Sequence, residues 1–467
     1  MSNRSALARR TSIALILTFT VLTTSVGVVA ASMTASGLSA GDTDVTVPTW
    51  LYLATGGGTV GASALLTMLV TDREMIGTYH NRAIRASTDR LLTAGSLLLG
   101  VIGILGLVLI FVAGVAGPNI GLVSATVLVT FVGGRTLLTI IAYTVGNPWP
   151  ALNPWRQIAK ALPTGYKSYP TSCGSWPAVV ALLTFVGLEV IAPLTSSPTI
   201  LLLVLGFYSL FTLSGAVVFS PETWFQRGDP LSLWFRCYGA VAPIQRTENG
   251  FELRYPGSRL SDADLVTDTS LVAFVLALVW ELTYSGFIVT PLGVQTIEFL
   301  VGLGVPPLLV YLAFLVGGFG LFWKVYWTAI DRTRERAETY LSRRYLGLRF
   351  ATPLLAIAAG YHLAHYVGFG VSLWPSLLDA LAMPLDPPPN PTRYALPGWF
   401  NYIEIAGILL GHVLAVWIAH TISFELFPGK LQAIRSQYPL IVVMIFFTMV
   451  SLYLVSQGTM NPPYIPN

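Results

Sequence analysis

Four of the five histidines in this 467-residue chain lie in two apolar segments that follow one another in the sequence. His362 and His365 lie in YHLAHYVGFG, and His412 and His420 lie in GILLGHVLAVWIAH. An ionisable side chain is costly inside a lipid bilayer and usually serves a function there. Because imidazole is the commonest metal ligand in proteins, this pattern predicts an intramembrane histidine site.

The spacing of the histidines allows a shared ligand set if the two segments form antiparallel helices. His362 and His365 are three residues apart, so they share one helix face at a depth similar to that of His412. Glu404 precedes His412 by two turns, and His420 follows it by two turns. Imidazoles with a carboxylate suit Zn, Cu, Mn or Fe, whereas paired imidazoles could instead ligate haem. Alternatively, these groups only join helices by hydrogen bonds.

Three further charged residues lie within apolar segments. Arg135 follows Gly133 and Gly134, which permit close approach of a neighbouring helix, and Glu189 and Glu281 lie in later segments. Pairing Arg135 with Glu189 or Glu281 would reduce the cost of burying either charge. The sequence leaves open whether this is a structural ion pair or part of a substrate or proton pathway.

The composition identifies the class of protein that must position these residues. The chain is 54% hydrophobic and only 10% charged, whereas about a quarter of the residues of a soluble domain are charged. Apolar runs of about 20 residues recur along the whole chain, each long enough to cross a bilayer as a helix. We therefore expect an all-α polytopic transmembrane bundle, with residues 1–467 forming one integral membrane domain.

Eleven hydrophobic spans are predicted. They cover residues 12–33, 49–71, 92–116, 120–145, 177–193, 199–219, 269–290, 303–328, 349–373, 400–426 and 438–457. Arg4, Arg9 and Arg10 precede the first span, and the small residues after it resemble a signal-peptidase site. Residues 1–33 are thus a first helix or a signal peptide, and cleavage would leave ten spans. The length of the apolar stretch favours an uncleaved helix.

The distribution of arginine and lysine predicts the topology. With a cytoplasmic N-terminus, the cytoplasmic loops hold nearly all the Arg and Lys residues, and the opposite loops hold Asp42, Asp44, Asp379 and Asp386 against Arg393 alone. This bias is the positive-inside pattern. We expect a multi-pass plasma-membrane protein with an extracytoplasmic C-terminus. The formal net charge of +4 then sets orientation, so the expected partner is the lipid bilayer and no nucleic acid is expected.

Several segments resemble one family of membrane proteins. The Asn-Pro-Trp repeat at 147–155, YHLAHY (361–366) and LQAIRSQYP (431–439) are similar to the polytopic membrane proteins labelled fenitrothion hydrolase, of the actinobacterial and archaeal type. The resemblance extends from about residue 140 to the C-terminus. It puts Glu189, all four intramembrane histidines and the run 435–439 at family-like positions.

The family label implies phosphotriester hydrolysis, which usually needs a metal-activated water. Two departures bear on that activity. The chain has TASGLSAG (34–41) where family members have His-Gly, and Ser285-Gly286 where they tend to have Asp-Gly. If those residues serve the activity, this chain has changed or lost it.

Three functions therefore remain open from the sequence. The first is a membrane-embedded metalloprotein, such as a hydrolase, with His362, His365 and His412 as ligands and His420 or Glu404 completing the set. The second is an ion- or proton-coupled transporter in which the intramembrane charges line a polar path. The third is a haem-binding redox subunit.

Overall fold

The computed structural model describes residues 49–86, 89–247, 250–458 and 460–465. The first seven helices are α1 (Thr49–Met68), α2 (Arg73–Asn81), α3 (Asp89–Ala116), α4 (Ala125–Thr144), α5 (Trp149–Leu152), α6 (Pro154–Lys160) and α7 (Trp176–Ile191). They are followed by α8 (Pro198–Phe219), α9 (Pro221–Arg227), α10 (Pro230–Gly239), α11 (Thr269–Ile288), α12 (Pro291–Gly302) and α13 (Pro307–Arg336). The last four are α14 (Arg343–Ala351), α15 (Pro353–Ala382), α16 (Asn401–Leu426) and α17 (Lys430–Ser456).

Eight helical segments of the described chain are long and apolar enough to cross a membrane. They correspond to predicted spans at 92–116, 120–145, 199–219, 269–290, 303–328, 349–373, 400–426 and 438–457. The span predicted at 49–71 ends in a bend of 113° between α1 and α2, and the span at 177–193 forms the sixteen-residue α7. The span predicted at 12–33 lies outside the described residues. The all-α membrane class is confirmed, and the count of eleven is not.

The outer surface of the bundle is apolar. On α3, for example, Leu97, Val101 and Leu105 are exposed, and only a small share of the span is buried. A contiguous exposed apolar surface of this kind indicates a lipid environment. By contrast, α11 is buried along almost its whole length and packs against α7, α13 and α15. It is the central helix of the bundle.

One small sheet, which the sequence analysis did not predict, lies at an end of the bundle. Strand β1 (Ala83–Ala86) and strand β2 (Ile244–Thr247) flank β3 (Gly250–Arg254), and both pairings are antiparallel. The sheet joins two loops that the sequence predicts to be cytoplasmic. The strand pairings of this sheet hold two polar loops together without forming a separate domain.

Ion pairs tie this sheet to the segment that follows β3. Arg254 contacts Glu252 and Asp262, each at 3.0 Å, and Arg259 contacts Asp262 at 2.6 Å. Arg259 also donates two hydrogen bonds to Asp264, at 2.6 and 2.9 Å. These bonds lower the pKa of Asp264 below its ordinary value.

Glycines make a close backbone contact between two helices of the bundle. Gly360 of α15 lies against Gly407 and Gly411 of α16, and a Cβ at Gly360 would lie 2.3 Å from the Gly407 carbonyl oxygen. Gly407 and Gly411 form a GxxxG pattern, which allows backbones in membranes to approach closely. This contact sets the separation of the two histidine-bearing helices.

We expect Gly360→Ala to destabilise the bundle, because its methyl group would overlap backbone rather than a movable side chain. Overpacking of this kind costs about 1–3 kcal/mol, so the melting temperature in detergent should fall. Gly317 on α13 is the matched control, since an added Cβ there meets no atom within 4 Å. Equal melting temperatures for Gly360→Ala and Gly317→Ala would contradict the close contact.

We expect acid to weaken the sheet end through Asp264. Because its pKa is lowered on folding, its ion pair stabilises the fold above the carboxyl's unfolded pKa, and this is lost as pH falls through the folded pKa. Asp264→Asn should flatten the acid limb of a melting-temperature profile. Asp386→Asn is the control, since Asp386 has no ion pair among the described residues. An unchanged acid limb in Asp264→Asn would refute the role of the pair.

Candidate functional site

Four helices bring polar side chains together inside the bundle. Arg135 comes from α4, Glu189 from α7, Glu281 from α11 and Tyr366 from α15. We call these four residues the Arg135 cluster. Glu189 and Glu281 were alternatives for one ion pair in the sequence analysis, and the structure places both against the same arginine.

The Arg135 guanidinium is the centre of the cluster. Its Nη2 lies 3.1 Å from Glu189 Oε2 and 3.0 Å from Glu281 Oε2. Nη2 and Nε also donate to the Tyr366 hydroxyl, at 2.5 and 3.0 Å. The guanidinium carbon lies 4.9 Å from the Tyr366 ring centroid and 5.5 Å from that of Trp234. These aromatic faces add a favourable cation–π contribution.

The cluster carries unequal charge when its acids are ionised. One guanidinium faces two carboxylates, and no other lysine or arginine in the described ranges pairs with either of them. Glu281 is fully buried, and its Oε1 has no hydrogen-bond partner among the described residues. The Glu189 side chain is 25% exposed. The pair therefore combines a fully buried carboxylate with one whose side chain is partly exposed.

The helix that carries Arg135 is irregular at this point. Residues Leu128–Leu138 of α4 form a π-helix rather than an α-helix. The extra residue in each π turn changes the directions of side chains, and short π segments often occur at functional sites. The Arg135 carbonyl oxygen is engaged from outside its own helix, by His362 Nε2 at 3.1 Å.

His362 contacts the backbone of Arg135. Its Nε2 lies 3.1 Å from the Arg135 carbonyl oxygen, and its Nδ1 lies 3.4 Å from the Tyr143 hydroxyl. The neutral ring, protonated on Nε2, satisfies both contacts. Rings of Tyr143, Trp234, Tyr238 and Tyr366 surround it at centroid distances of 4.7–6.0 Å. Both nitrogens are thus used in holding α4 to α15.

The other predicted ligands lie along α15 and α16. His412 is buried, with Nδ1 2.9 Å from the Ile408 carbonyl of its own helix, and Nε2 has no partner within the described residues. His365 contacts the Tyr366 ring edge-on at 4.9 Å. Glu404 is buried beside Gly368, whose added Cβ would lie 3.4 Å from Glu404 Oε1.

His420 lies in a separate location. Its Nδ1 lies 3.1 Å from Gln437 Oε1 on α17, and its Nε2 lies 2.8 Å from the Val70 carbonyl at the bend between α1 and α2. The ring packs on Phe424 at a centroid distance of 4.5 Å. His420 therefore joins α16 and α17 to the bend between α1 and α2, and it is not part of the Arg135 cluster.

The predicted metal site finds no support in this arrangement. Among the described residues, no group of three His, Cys, Asp or Glu side chains could hold a metal ion. His362 and His420 have both ring nitrogens engaged by protein atoms. The histidines of α15 were expected to meet those of α16 at one point. No such group of three ligands is found among the described residues. Metal or haem binding therefore stays a prediction from sequence.

Sequence reasoning missed two features that position the site. The π segment around Arg135 has no simple sequence signal beyond its paired glycines. The GxxxG pattern at Gly407 and Gly411 is readable from the sequence and would have predicted the close packing of α15 on α16. Trp234 of α10 also contacts the arginine, with its ring centroid 5.5 Å from the guanidinium carbon.

The fold and site define a multi-pass helical membrane protein with a buried Arg–Glu–Glu cluster. No family model, curated protein or solved structure matches the chain. The functional conclusion below therefore rests on the residues of the cluster.

Removing the arginine alone should be costly, because it leaves two carboxylates without their cation, one of them fully buried. We expect Arg135→Gln to lower the free energy of unfolding by about 3–5 kcal/mol. Adding Glu189→Gln and Glu281→Gln should restore part of this loss, which can be measured as melting temperature in detergent. Arg332→Gln, in an exposed pair with Glu335, should change stability by about 1 kcal/mol or less. A triple variant no more stable than Arg135→Gln would contradict the charge balance.

Proposed function

We propose that the protein is a proton-coupled membrane transporter whose proton-binding site is the Arg135 cluster. The observation that carries the proposal is the charge count, one guanidinium against two carboxylates inside the bundle. A net negative charge is expensive within the membrane, and intramembrane carboxylates commonly belong to proton relays. Binding one proton at the carboxylate pair removes this net charge, and releasing the proton restores it.

The two carboxylates differ in the way that proton transfer requires. Glu189 is partly exposed, whereas Glu281 is fully buried with one oxygen free of partners among the described residues. Both contact Nη2 of Arg135, so the two acids share one cation and a proton bound at either of them leaves the other paired with it. Tyr366 is the third side chain that contacts the guanidinium, by two hydrogen bonds to its hydroxyl.

Two tyrosines and two histidines lie around the carboxylates and the arginine of the cluster. Tyr238 and Tyr361 lie within electrostatic range of Glu281, and His362 and His365 lie within range of Arg135. His362 already serves the backbone of Arg135 as a neutral ring. The carboxylates are therefore the groups in the cluster whose charge a proton most directly changes.

The sequence left two other functions open, a haem-binding redox subunit and the metal-dependent hydrolase, and the family resemblance implies the hydrolase. Its ligands would have to come from His365, His412 and Glu404, because His362 and His420 are engaged. No specific contact among the described residues favours it over proton-coupled transport, and we make transport the conclusion.

Proton movement in proteoliposomes tests the proposal. The protein would be reconstituted with a pH-sensitive dye inside, and a pH gradient imposed with a mixture of amino acids, sugars, carboxylates and nucleosides outside. We expect proton flux well above that of empty liposomes, and at least a tenfold loss in Glu281→Gln, because a neutral amide cannot bind and release the proton.

Glu222→Gln is the matched control, since Glu222 is exposed on the short helix α9 outside the cluster. It should keep the wild-type flux. Proton flux equal to that of empty liposomes, or equal loss in Glu222→Gln and Glu281→Gln with both variants folded, would overturn the proposal.

A further inference from the structure

A cleft of about 570 Å³ lies between the C-terminal half of α13 and the middle of α17, remote from the Arg135 cluster. Its wall on α13 carries Lys324, Arg332 and Arg336, and its wall on α17 carries Tyr438 and Val442. By the predicted topology, these basic residues lie at the cytoplasmic side of the membrane. The cleft plays no part in the function proposed above.

The charge of the cleft is positive and largely uncompensated. Lys324 and Arg336 are exposed and have no acidic partner among the described residues. Arg332 pairs with Glu335 at 2.9 Å, but both side chains are more than half exposed, so this pair is weak. No Asp or Glu lines the cleft. An anionic group would therefore be attracted to it.

The other part of the cleft is apolar and opens towards lipid. Leu321 and Val442 are 59% and 65% exposed, on the stretch of α13 and α17 that lies in the membrane. Lys324 lies one turn further along α13, and Arg332 and Arg336 follow after eight and twelve residues from Lys324. Tyr438, also exposed, lies where tyrosines mark the membrane interface. The cleft is therefore apolar at its membrane end and basic at its other end. This order matches the acyl chains and the anionic headgroup of a phospholipid.

We infer that this cleft is a binding site for one anionic glycerophospholipid. The anionic headgroup lies in the part of the cleft that carries Lys324, Arg332 and Arg336, and an acyl chain lies along Leu321 and Val442. Basic pockets between transmembrane helices on the cytoplasmic side are suited to anionic headgroups. A soluble phosphate would use the basic residues alone, whereas a lipid also covers the exposed apolar side chains. Because the basic surface and the apolar surface are continuous, a lipid is favoured over a soluble phosphate.

The test uses the purified full chain in a neutral detergent. Phosphatidylglycerol should raise its melting temperature in a saturable way, whereas phosphatidylcholine and inorganic phosphate should not. We expect the double variant Lys324→Gln/Arg336→Gln to bind phosphatidylglycerol at least roughly tenfold more weakly, since each basic side chain near an anionic headgroup adds to affinity.

Arg334→Gln is the matched control, because Arg334 is exposed on the same helix but does not line the cleft. It should keep wild-type affinity. A photoactivatable phosphatidylglycerol gives a second readout and should label peptides of α13 and α17. Equal stabilisation by phosphatidylcholine or by inorganic phosphate would overturn the inference. So would equal loss of affinity in Arg334→Gln, or labelling confined to other helices.

Discussion

The structure depends on keeping a guanidinium and two carboxylates inside a membrane bundle. Such charges are tolerated only when their partners surround them closely. Arg135 meets this constraint with contacts from α7, α11 and α15, and its backbone is held by His362. The central position of α11 and the π segment of α4 both serve to bring these contacts to one point. His362, one of the four histidines that suggested a metal site in the sequence, thus holds the backbone of Arg135.

The architecture shows how the bundle separates two tasks. Glycine contacts fix α15 against α16, and His420 fixes the bend of α1 and α2 against α16 and α17. The Arg135 cluster is built from other residues, and one of its acids is partly exposed. Under the proposed function, a change of protonation in the cluster would act on the contacts of α7 and α11 with α4.

Much of the fold could be predicted from the sequence, because apolar runs of membrane length are a direct physical signal. The grouping of Arg135 with Glu189 and Glu281 could be anticipated for a similar reason, since each buried charge needs a partner. The histidines show where such reasoning ends. Spacing determines which residues share a face of one helix, but not how that helix is rotated against its neighbours. His412 bonds to its own helix and His420 to Gln437, and no group of three metal-ligating side chains lies together among the described residues. The π segment and the small sheet depend on contacts distant in sequence.

The central claim is that the two carboxylates share one arginine and hold one proton between them. Infrared spectroscopy of the purified protein near neutral pH tests it most directly. A protonated carboxylic acid gives a carbonyl-stretch band that shifts in D₂O, and we expect such a band in the wild-type protein. It should disappear in the Glu189→Gln/Glu281→Gln double variant and persist in Glu222→Gln. Absence of the band in the wild-type protein, or its full retention in the double variant, would contradict the account.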